Sequence, residues 1–219
     1  MTTVLFVHGL ESGPRGRKAL ALEQAGFQVV AAKMPCSRRD VLADPVTLAV
    51  LAFAALAVAA FVAKLGALGF VLGVMSVFLA QRFVRPQLTR RVFRRSVAVQ
   101  AQLLAREKVD VVVGSSFGGA VALELLRTAK WAGPTVLLCP AQRRVAARAW
   151  WPSPTLPATA SRVLVVHARQ DETVPLADSH LLVKGTAAAL LEVDDDHRLS
   201  ATATPENLRA WVERVMAPM

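Results

Sequence analysis

The sequence predicts an α/β fold in which a mostly parallel sheet of about six strands is covered by helices on both faces. Short β-branched and apolar runs alternate along the chain with segments of helical periodicity. The runs are apolar throughout, as strands buried between two layers of helices are. One further feature interrupts this alternation: residues 45–81 form an apolar stretch whose single charged side chain is Lys64.

The individual elements follow from local hydrophobic patterns and from turn residues. Predicted strands, each a short apolar run that leads into a turn or loop, cover residues 4–7, 27–32, 109–113, 135–139, 163–167 and 188–193. Predicted helices, each with apolar residues three and four positions apart, cover residues 18–25, 88–106, 117–130, 143–151, 177–184 and 205–215. The core is therefore expected to comprise residues 1–44 and 82–219, with an inserted apolar helical hairpin at 45–81.

The net charge of +10 is concentrated beside the insert. Eight positive and no negative side chains lie between residues 45 and 106, so the rest of the chain has a net charge of only +2. Most of the eight are arginines that follow the apolar stretch, where each attracts anionic lipid head groups by about 1 kcal/mol. This distribution favours membrane lipids as partners and argues against nucleic acid.

The insert consists of two apolar runs that meet at Lys64-Leu65-Gly66. One straight helix of this length would be about 54 Å long, against a hydrocarbon core of about 30 Å. It would also leave the first two strands and the rest of the sheet on opposite sides of a membrane. A hairpin returns the chain to the side it left, and the flanking arginines place both ends in the cytoplasm.

Two alternatives remain for the insert. It is either a re-entrant or interfacial hairpin, or a soluble helical pair that serves as a lid or a dimer interface. Gly69 and Gly73, with small residues opposite them, favour close packing of the two arms in any of these arrangements.

The segment Gly114-Ser115-Ser116-Phe117-Gly118 fits G-x-S-x-G where the most strand-like run meets the next helix. A sharp turn at this junction exposes the serine hydroxyl above the sheet. A phosphate-binding loop is the alternative, but G-K-[ST] is missing and G-x-G-x-x-G is not matched. Ser116 is therefore the candidate nucleophile.

A serine nucleophile needs a base, and the base needs an acid that orients it. Asp171 follows the strand at 163–167, and His197 follows the strand at 188–193. Both come after Ser116 in the order serine, acid, histidine that this arrangement of strands favours. Asp171 is therefore the candidate acid and His197 the candidate base.

The remaining histidines and acids receive other interpretations. His8 is expected to brace the first loop, His167 to be structural and His180 to lie on the surface. Glu172 and Asp178 are the alternative acids, but Asp171 occupies the first turn after its strand.

Stabilising a negatively charged intermediate requires two backbone N–H groups. One is expected from Phe117, directly after the candidate nucleophile. The other is expected from Leu10, in the loop at 8–14 after the first strand.

The chain resembles small lidless serine esterases of the α/β-hydrolase superfamily. His8-Gly9, the segment 114–118, Asp171 with Val174-Pro175, and His197 match motifs of that superfamily in order. The resemblance covers nearly the whole chain apart from the insert. Where the superfamily often has H-G-x-x-D, this chain has Ala168 in place of the glycine. The resemblance implies an α/β-hydrolase-type sheet with the apolar hairpin inserted into it.

These features together predict a serine hydrolase that cleaves carboxylic esters or thioesters, with lipid-derived esters as one candidate class. No cofactor or metal is expected, and Cys36 and Cys139 are expected to be reduced thiols. Without a signal peptide at Met1-Thr2-Thr3, the catalytic domain is expected to face the cytoplasm from the inner membrane. The alternative is a non-catalytic, membrane-bound scaffold or binding protein with the same fold.

Overall fold

The structure, a computed structural model that describes residues 1–10 and 12–217, contains a six-stranded sheet with helices on both faces. The strands are β1 (Thr3–Val7), β2 (Gln28–Val30), β3 (Val111–Ser115), β4 (Thr135–Leu138), β5 (Val163–Ala168) and β6 (Ala189–Val193). The helices are α1 (Arg17–Gln24), α2 (Arg38–Leu42), α3 (Pro45–Arg106), α4 (Phe117–Arg127), α5 (Gln142–Ala149), α6 (Leu176–Val183) and α7 (Pro205–Met216).

All paired strands of the sheet are parallel, in the order β2-β1-β3-β4-β5-β6. Alternate residues of each strand enter different halves of the core, because side chains in a strand alternate between faces. In β1, Val4 and Phe6 pack with α1 and α7. Leu5 and Val7 pack with the second half of α3 and with α4 and α5. The carboxyl ends of the strands therefore meet at one edge, where loops are free to carry polar side chains.

The structure confirms the predicted fold class, and each predicted strand is present. One helix was not predicted: α2 has only five residues, too few to show periodicity. Its start is stabilised by a capping box between Ser37 and Asp40. The helix expected at 88–106 is the last part of a longer one, α3, which begins at Pro45.

Helix α3 folds back on itself at a single residue. Gly66 has φ 56° and ψ −132°, a conformation that glycine adopts without steric cost, and it separates two arms. The first arm, 45–65, is about 31 Å long at 1.5 Å per residue. The second arm continues past 81 without interruption and includes Pro86. No break in the helix therefore marks the expected boundary between insert and core.

The two arms are in close contact. A Cβ added to Gly69 would lie 2.0 Å from the carbonyl oxygen of Phe61, so the backbones approach too closely for any side chain there. At Gly73 an added Cβ would lie 3.1 Å from the Cα of Val58.

The base of the hairpin is closed by Asp44, whose carboxylate accepts hydrogen bonds from Arg91 and Arg95 and from the N–H of Val46.

The hairpin exposes most of its apolar surface. Among the described helices, α3 is the one that is long and apolar enough to cross a membrane by length and composition, and 6% of its most apolar stretch is buried. Phe53 and Leu56 in the first arm are 74% and 70% exposed, and Phe78 in the second is 65% exposed. A contiguous exposed apolar surface of this kind is typical of a segment that contacts lipid or another protein.

Candidate active site

Ser116 lies in the sharp turn between β3 and α4. Its φ of 55° and ψ of −114° are rare for a residue with a side chain, and strained backbone of this kind is concentrated at functional sites. The turn is held by the N–H of Ser116, which donates to the carbonyl of Leu138 over 2.9 Å. Gly118 allows it: a Cβ at this position would lie 2.0 Å from the carbonyl oxygen of Val7 in β1.

His197 reaches Ser116 from the loop after β6. Its Nε2 lies 2.9 Å from the Ser116 Oγ. The loop is organised by Asp195, whose Oδ2 accepts hydrogen bonds from the backbone N–H groups of Ala201 and Thr202 and from the Thr202 hydroxyl. The loop that carries His197 is therefore folded around the Asp195 carboxylate.

Asp171 lies on the other side of His197. Its Oδ2 is 2.7 Å from the His197 Nδ1, and its side chain is fully buried. A carboxylate only accepts hydrogen bonds, so Nδ1–H of His197 donates to it and Nε2 is left to accept the proton of Ser116. The other carboxylate oxygen accepts from the N–H groups of Thr173 and Val174, at 2.8 and 2.7 Å. The three predicted side chains thus form one continuous chain of hydrogen bonds.

The carboxyl of Asp171 is strongly stabilised in its charged form. Burial opposes ionisation, but hydrogen bonds from His167, His197 and the N–H of Val174 outweigh it and hold the pKa of this carboxyl well below its usual range. Asp171 therefore remains an anion throughout the pH range in which a histidine base works.

The alternative acids lie elsewhere. Asp178 pairs with Arg143 over 3.2 Å. Glu172 is exposed. Of these three acids, the one that the structure brings to His197 is Asp171.

His167 takes part in the site, a role that sequence reasoning did not identify. The imidazole is completely buried, and its Nε2 lies 2.9 Å from the carbonyl of Val174 and 3.3 Å from the Asp171 Oδ2. Both neighbours are acceptors, so Nε2 carries the proton, and Nδ1 accepts from the Ser179 hydroxyl at 2.6 Å. One carboxylate oxygen of Asp171 thus faces two imidazoles. The sequence feature that could have indicated this role is the spacing of His167 and Asp171, which lie four residues apart across the end of a strand.

Cys139 lies beside the same group. Its sulfur, His167 and Asp171 each place one potential metal ligand within 4.8 Å of the others. Burial raises the pKa of the Cys139 thiol to about 12, so it is protonated, and both ring nitrogens of His167 are already hydrogen-bonded. We therefore assign this cluster to the support of Asp171 and not to metal binding.

The loop after β1 lies next to the turn that carries Ser116. A Cβ added to Gly9 would lie 3.5 Å from the Ser116 Cβ. His8 braces this loop, as the sequence predicts: it accepts from the N–H of Met34 through Nε2 and donates to the Gly9 carbonyl through Nδ1. Leu10 follows Gly9, and Phe117 is the first residue of α4. The two predicted N–H donors therefore belong to the two segments that flank the Ser116 side chain.

A cavity of about 550 Å³ lies outside this site, between α3, α4 and α5. Phe93, Val97, Val145 and Trp151 line it, and none of its described lining residues belongs to the Ser116–His197–Asp171 group. The ring of Phe93, which lines the cavity, also contacts the ring of Phe117, with centroids 5.9 Å apart.

The lowered pKa of Asp171 predicts an effect on stability at low pH. Its ionisation stabilises the folded state above the unfolded pKa of about 3.9, and this stabilisation is lost as the pH falls through the lower folded pKa. The Tm of the wild-type protein should exceed that of Asp171→Asn by a constant margin above about pH 5, and the margin should narrow below about pH 4. Calorimetry of both proteins across this pH range tests the prediction. A difference in Tm that does not change with pH would contradict the conclusion that the fold stabilises Asp171 in its charged form.

Replacement of His167 is expected to act through Asp171. His167→Phe keeps a buried ring but removes a hydrogen bond to a charged group, worth about 1.5–3 kcal/mol. The rate of a reaction in which Ser116 acts as nucleophile should fall by about 10-fold to 150-fold, in kcat and with little change in KM. The pKa of Asp171 should rise, so the acid loss of stability should begin at higher pH than in wild type. Ser179→Ala is the matched control and should have a smaller effect, because it leaves the His167–Asp171 contact intact.

Comparison of the sequence with known protein families and with curated protein sequences finds no match. Comparison with solved structures finds a protein from Xanthomonas campestris pv. campestris assigned to the alpha/beta hydrolase superfamily, with a TM-score of 0.59, 23% identity and 98% of each chain covered. A metagenome-derived lipolytic enzyme is similar with a TM-score of 0.57 and 14% identity, covering 97% of this chain and 94% of its own. Esterase PE8 is similar with a TM-score of 0.51 and 18% identity, covering 98% of this chain and 92% of its own.

These similarities extend over almost the whole chain at low sequence identity, so they concern the fold. In this chain the fold consists of the six-stranded parallel sheet and its covering helices. This chain has the α/β-hydrolase fold.

Proposed function

We propose that this protein is a serine hydrolase that cleaves carboxylic esters or thioesters through an acyl-enzyme intermediate. The observation that carries the proposal is the hydrogen-bonded chain from the Ser116 Oγ to His197 at 2.9 Å and from His197 to Asp171 at 2.7 Å. The similar structures named above as hydrolases, lipolytic enzymes and esterases support a hydrolase in general.

The proposed reaction begins with attack of the Ser116 Oγ on the carbonyl carbon of the ester. His197 Nε2 takes the hydroxyl proton as the new C–O bond forms, and Asp171 stabilises the imidazolium that results. The tetrahedral intermediate then expels the alcohol or thiol, which receives the proton from His197. Water attacks the acyl-enzyme with His197 again as base, and the carboxylic acid leaves as Ser116 regains its proton.

The negative charge of each tetrahedral intermediate falls on the former carbonyl oxygen. We propose that the backbone N–H groups of Phe117 and Leu10 donate to it. Support comes from their position: Phe117 directly follows Ser116 at the start of α4, and Leu10 follows Gly9, which lies against the Ser116 side chain. Donors held by the fold stabilise such charge without reorganising, which accounts for about 10²–10³ in kcat per donor in comparable sites.

A panel of p-nitrophenyl esters of increasing acyl length tests the proposal. The purified full chain should hydrolyse at least one ester above the rate of Ser116→Ala purified in the same way. Equal rates for the two proteins with every ester would contradict the hydrolase proposal and favour the non-catalytic scaffold. The chain-length profile of the wild-type rate identifies the acyl group that the site prefers.

We further propose that the hairpin anchors the protein in a membrane with both of its ends on the cytoplasmic side. Its apolar side chains are mostly exposed, and its first arm matches the thickness of a hydrocarbon core. The ends of the hairpin meet where Asp44 pairs with Arg91 and Arg95, as two crossings require. An anchored site would encounter esters that partition into the same membrane.

Fractionation tests the anchor. The wild-type protein should sediment with membranes at high speed and dissolve only with detergent. Leu56→Arg places a charge at the middle of the first arm, at a cost of about 2.5–3.5 kcal/mol in a bilayer, and should shift protein into the supernatant; Leu56→Ala should not. Wild-type protein in the supernatant without detergent would contradict the anchor.

A further inference from the structure

Two exposed aromatic side chains lie together where the hairpin meets the core. Phe83 in the second arm of α3 is 69% exposed, and Trp150 at the end of α5 is 54% exposed. Their ring centroids are 6.0 Å apart in an edge-to-face arrangement. We call this pair the aromatic patch. Two large aromatic rings in mutual contact that remain this exposed indicate a surface that another phase or molecule covers.

The backbone holds Trp150 outward under strain. Trp150 has φ 52° and ψ 49°, the left-handed region that helix ends usually fill with glycine. A bulky residue in this conformation is uncommon, because its side chain crowds the backbone. The next residue, Trp151, packs inward against Phe93, with centroids 5.4 Å apart. The two adjacent tryptophans therefore point in different directions: Trp151 packs against the core, and Trp150 is exposed on the surface.

Arg90 fixes the aromatic patch relative to the hairpin. Its Nε donates to the carbonyl of Ala149 over 2.6 Å, and its terminal nitrogen donates to the carbonyl of Trp150 over 2.8 Å. These carbonyls lie at the end of α5, where a cation is favoured by the helix dipole. Helix α5 and the second arm of α3 therefore form one unit, and the patch keeps a fixed height above the apolar part of the hairpin.

The position and charge of the patch fit the surface of an anionic membrane. Phe83 lies just beyond the last apolar run of the insert, which ends at Ala80, and aromatic residues are enriched at the boundary between hydrocarbon and head groups. Neither α3 nor α5 contains an acidic residue, and Arg82, Arg85 and Arg148 lie within two residues of Phe83 or Trp150. Positive side chains beside an exposed aromatic pair suit negatively charged head groups.

Helix α5 also connects the patch to the candidate active site. Its first turn follows Ala141, whose N–H donates to the carbonyl of Ser116 over 3.0 Å, and its last residue precedes Trp150. Eight helical residues span about 12 Å. We propose that Phe83 and Trp150 insert into the head-group region of an anionic membrane and hold Ser116 about one α5 length from it. This inference rests on the proposed hairpin anchor, and it favours esters of membrane lipids as substrates.

Tryptophan quenching by lipid tests the aromatic patch directly. The full chain is reconstituted into vesicles of phosphatidylcholine and phosphatidylglycerol with or without brominated acyl chains, which quench tryptophan only at short range. Trp150→Phe preserves an aromatic ring and should remove most of the quenching by brominated lipid. Trp131→Phe, in the segment that follows α4, should leave the quenching unchanged. Equal quenching of wild type and Trp150→Phe would overturn the proposal.

A second pair of measurements separates the failure of the patch from that of the proposed enzyme. Phe83→Asp with Trp150→Asp should lower the rate on a vesicle-embedded ester several-fold and leave the rate on a soluble ester unchanged. Flotation with vesicles but no quenching of Trp150 would overturn the patch while the hairpin anchor stands. Quenching without any ester hydrolysis would support the patch and contradict the hydrolase. Burial of Trp150 that depends on protein concentration and not on lipid would assign the surface to a second copy and overturn the proposal.

Discussion

Replacing Ser116 or His197 by alanine is expected to lower kcat for ester hydrolysis by about 10⁶-fold, and replacing both should cost no more than replacing one. The two groups act as a unit, since the Ser116 hydroxyl is a weak nucleophile unless the His197 Nε2 at 2.9 Å removes its proton. Once either is gone, the remaining rate comes from binding and from the N–H donors alone.

Steady-state kinetics of the two single variants and the double variant measure this effect. His180→Ala is the matched control: its side chain is 54% exposed on α6, and its activity should equal that of wild type. Additive losses in the double variant would mean that the two residues act independently, which contradicts the proposed proton transfer.

Replacing Asp171 by asparagine is expected to lower kcat by about 10⁴-fold while the fold is retained. In serine proteases with a Ser-His-Asp triad, the corresponding change leaves the geometry intact but favours the wrong tautomer of the histidine. Here the same outcome follows from the 2.7 Å contact: an amide N–H facing His197 Nδ1 would make Nδ1 the acceptor and leave the proton on Nε2. Nε2 would then be unable to accept the proton of Ser116.

The comparison variant is Glu172→Gln, which removes the neighbouring carboxylate from an exposed position and should leave kcat unchanged. Circular dichroism should show the same fold for both proteins. If Glu172→Gln lost activity and Asp171→Asn kept it, the acid would be assigned to the wrong residue.

The candidate site was largely predictable because its residues lie at the ends of recognisable strands. A strand followed by G-x-S-x-G places Ser116 at the carboxyl edge of the sheet, and parallel strands bring the residues after β5 and β6 to that same edge. The positions of Asp171 and His197 directly after these strands therefore predicted that both side chains lie near Ser116. Turn and loop residues between the apolar runs also located each of the six strands within a few residues.

What sequence reasoning missed depends on side-chain direction and on long-range contact. His167 looks like any histidine at a strand end, and its contact with Asp171 depends on how the turn at 168–170 folds back. Asp195 belongs to an acidic run that suggests a solvated loop, yet it organises the backbone around His197. The domain boundary predicted at 81, which followed a change in charge, stays a prediction; helix α3 runs through it because the arginines that follow are good helix formers.

A fluorophosphonate probe followed by mass spectrometry of the labelled peptide tests the central claim most directly. The probe reacts with an activated serine. Because two serines are adjacent here, the labelled position distinguishes the candidate nucleophile from its neighbour. Ser115 is nearly buried and its hydroxyl accepts from Lys18 Nζ at 3.2 Å, whereas Ser116 faces His197. We predict one adduct, on Ser116, retained in Ser115→Ala and abolished in Ser116→Ala. No adduct on the wild-type protein, or an adduct that persists in Ser116→Ala, would contradict the assignment of Ser116 as the nucleophile.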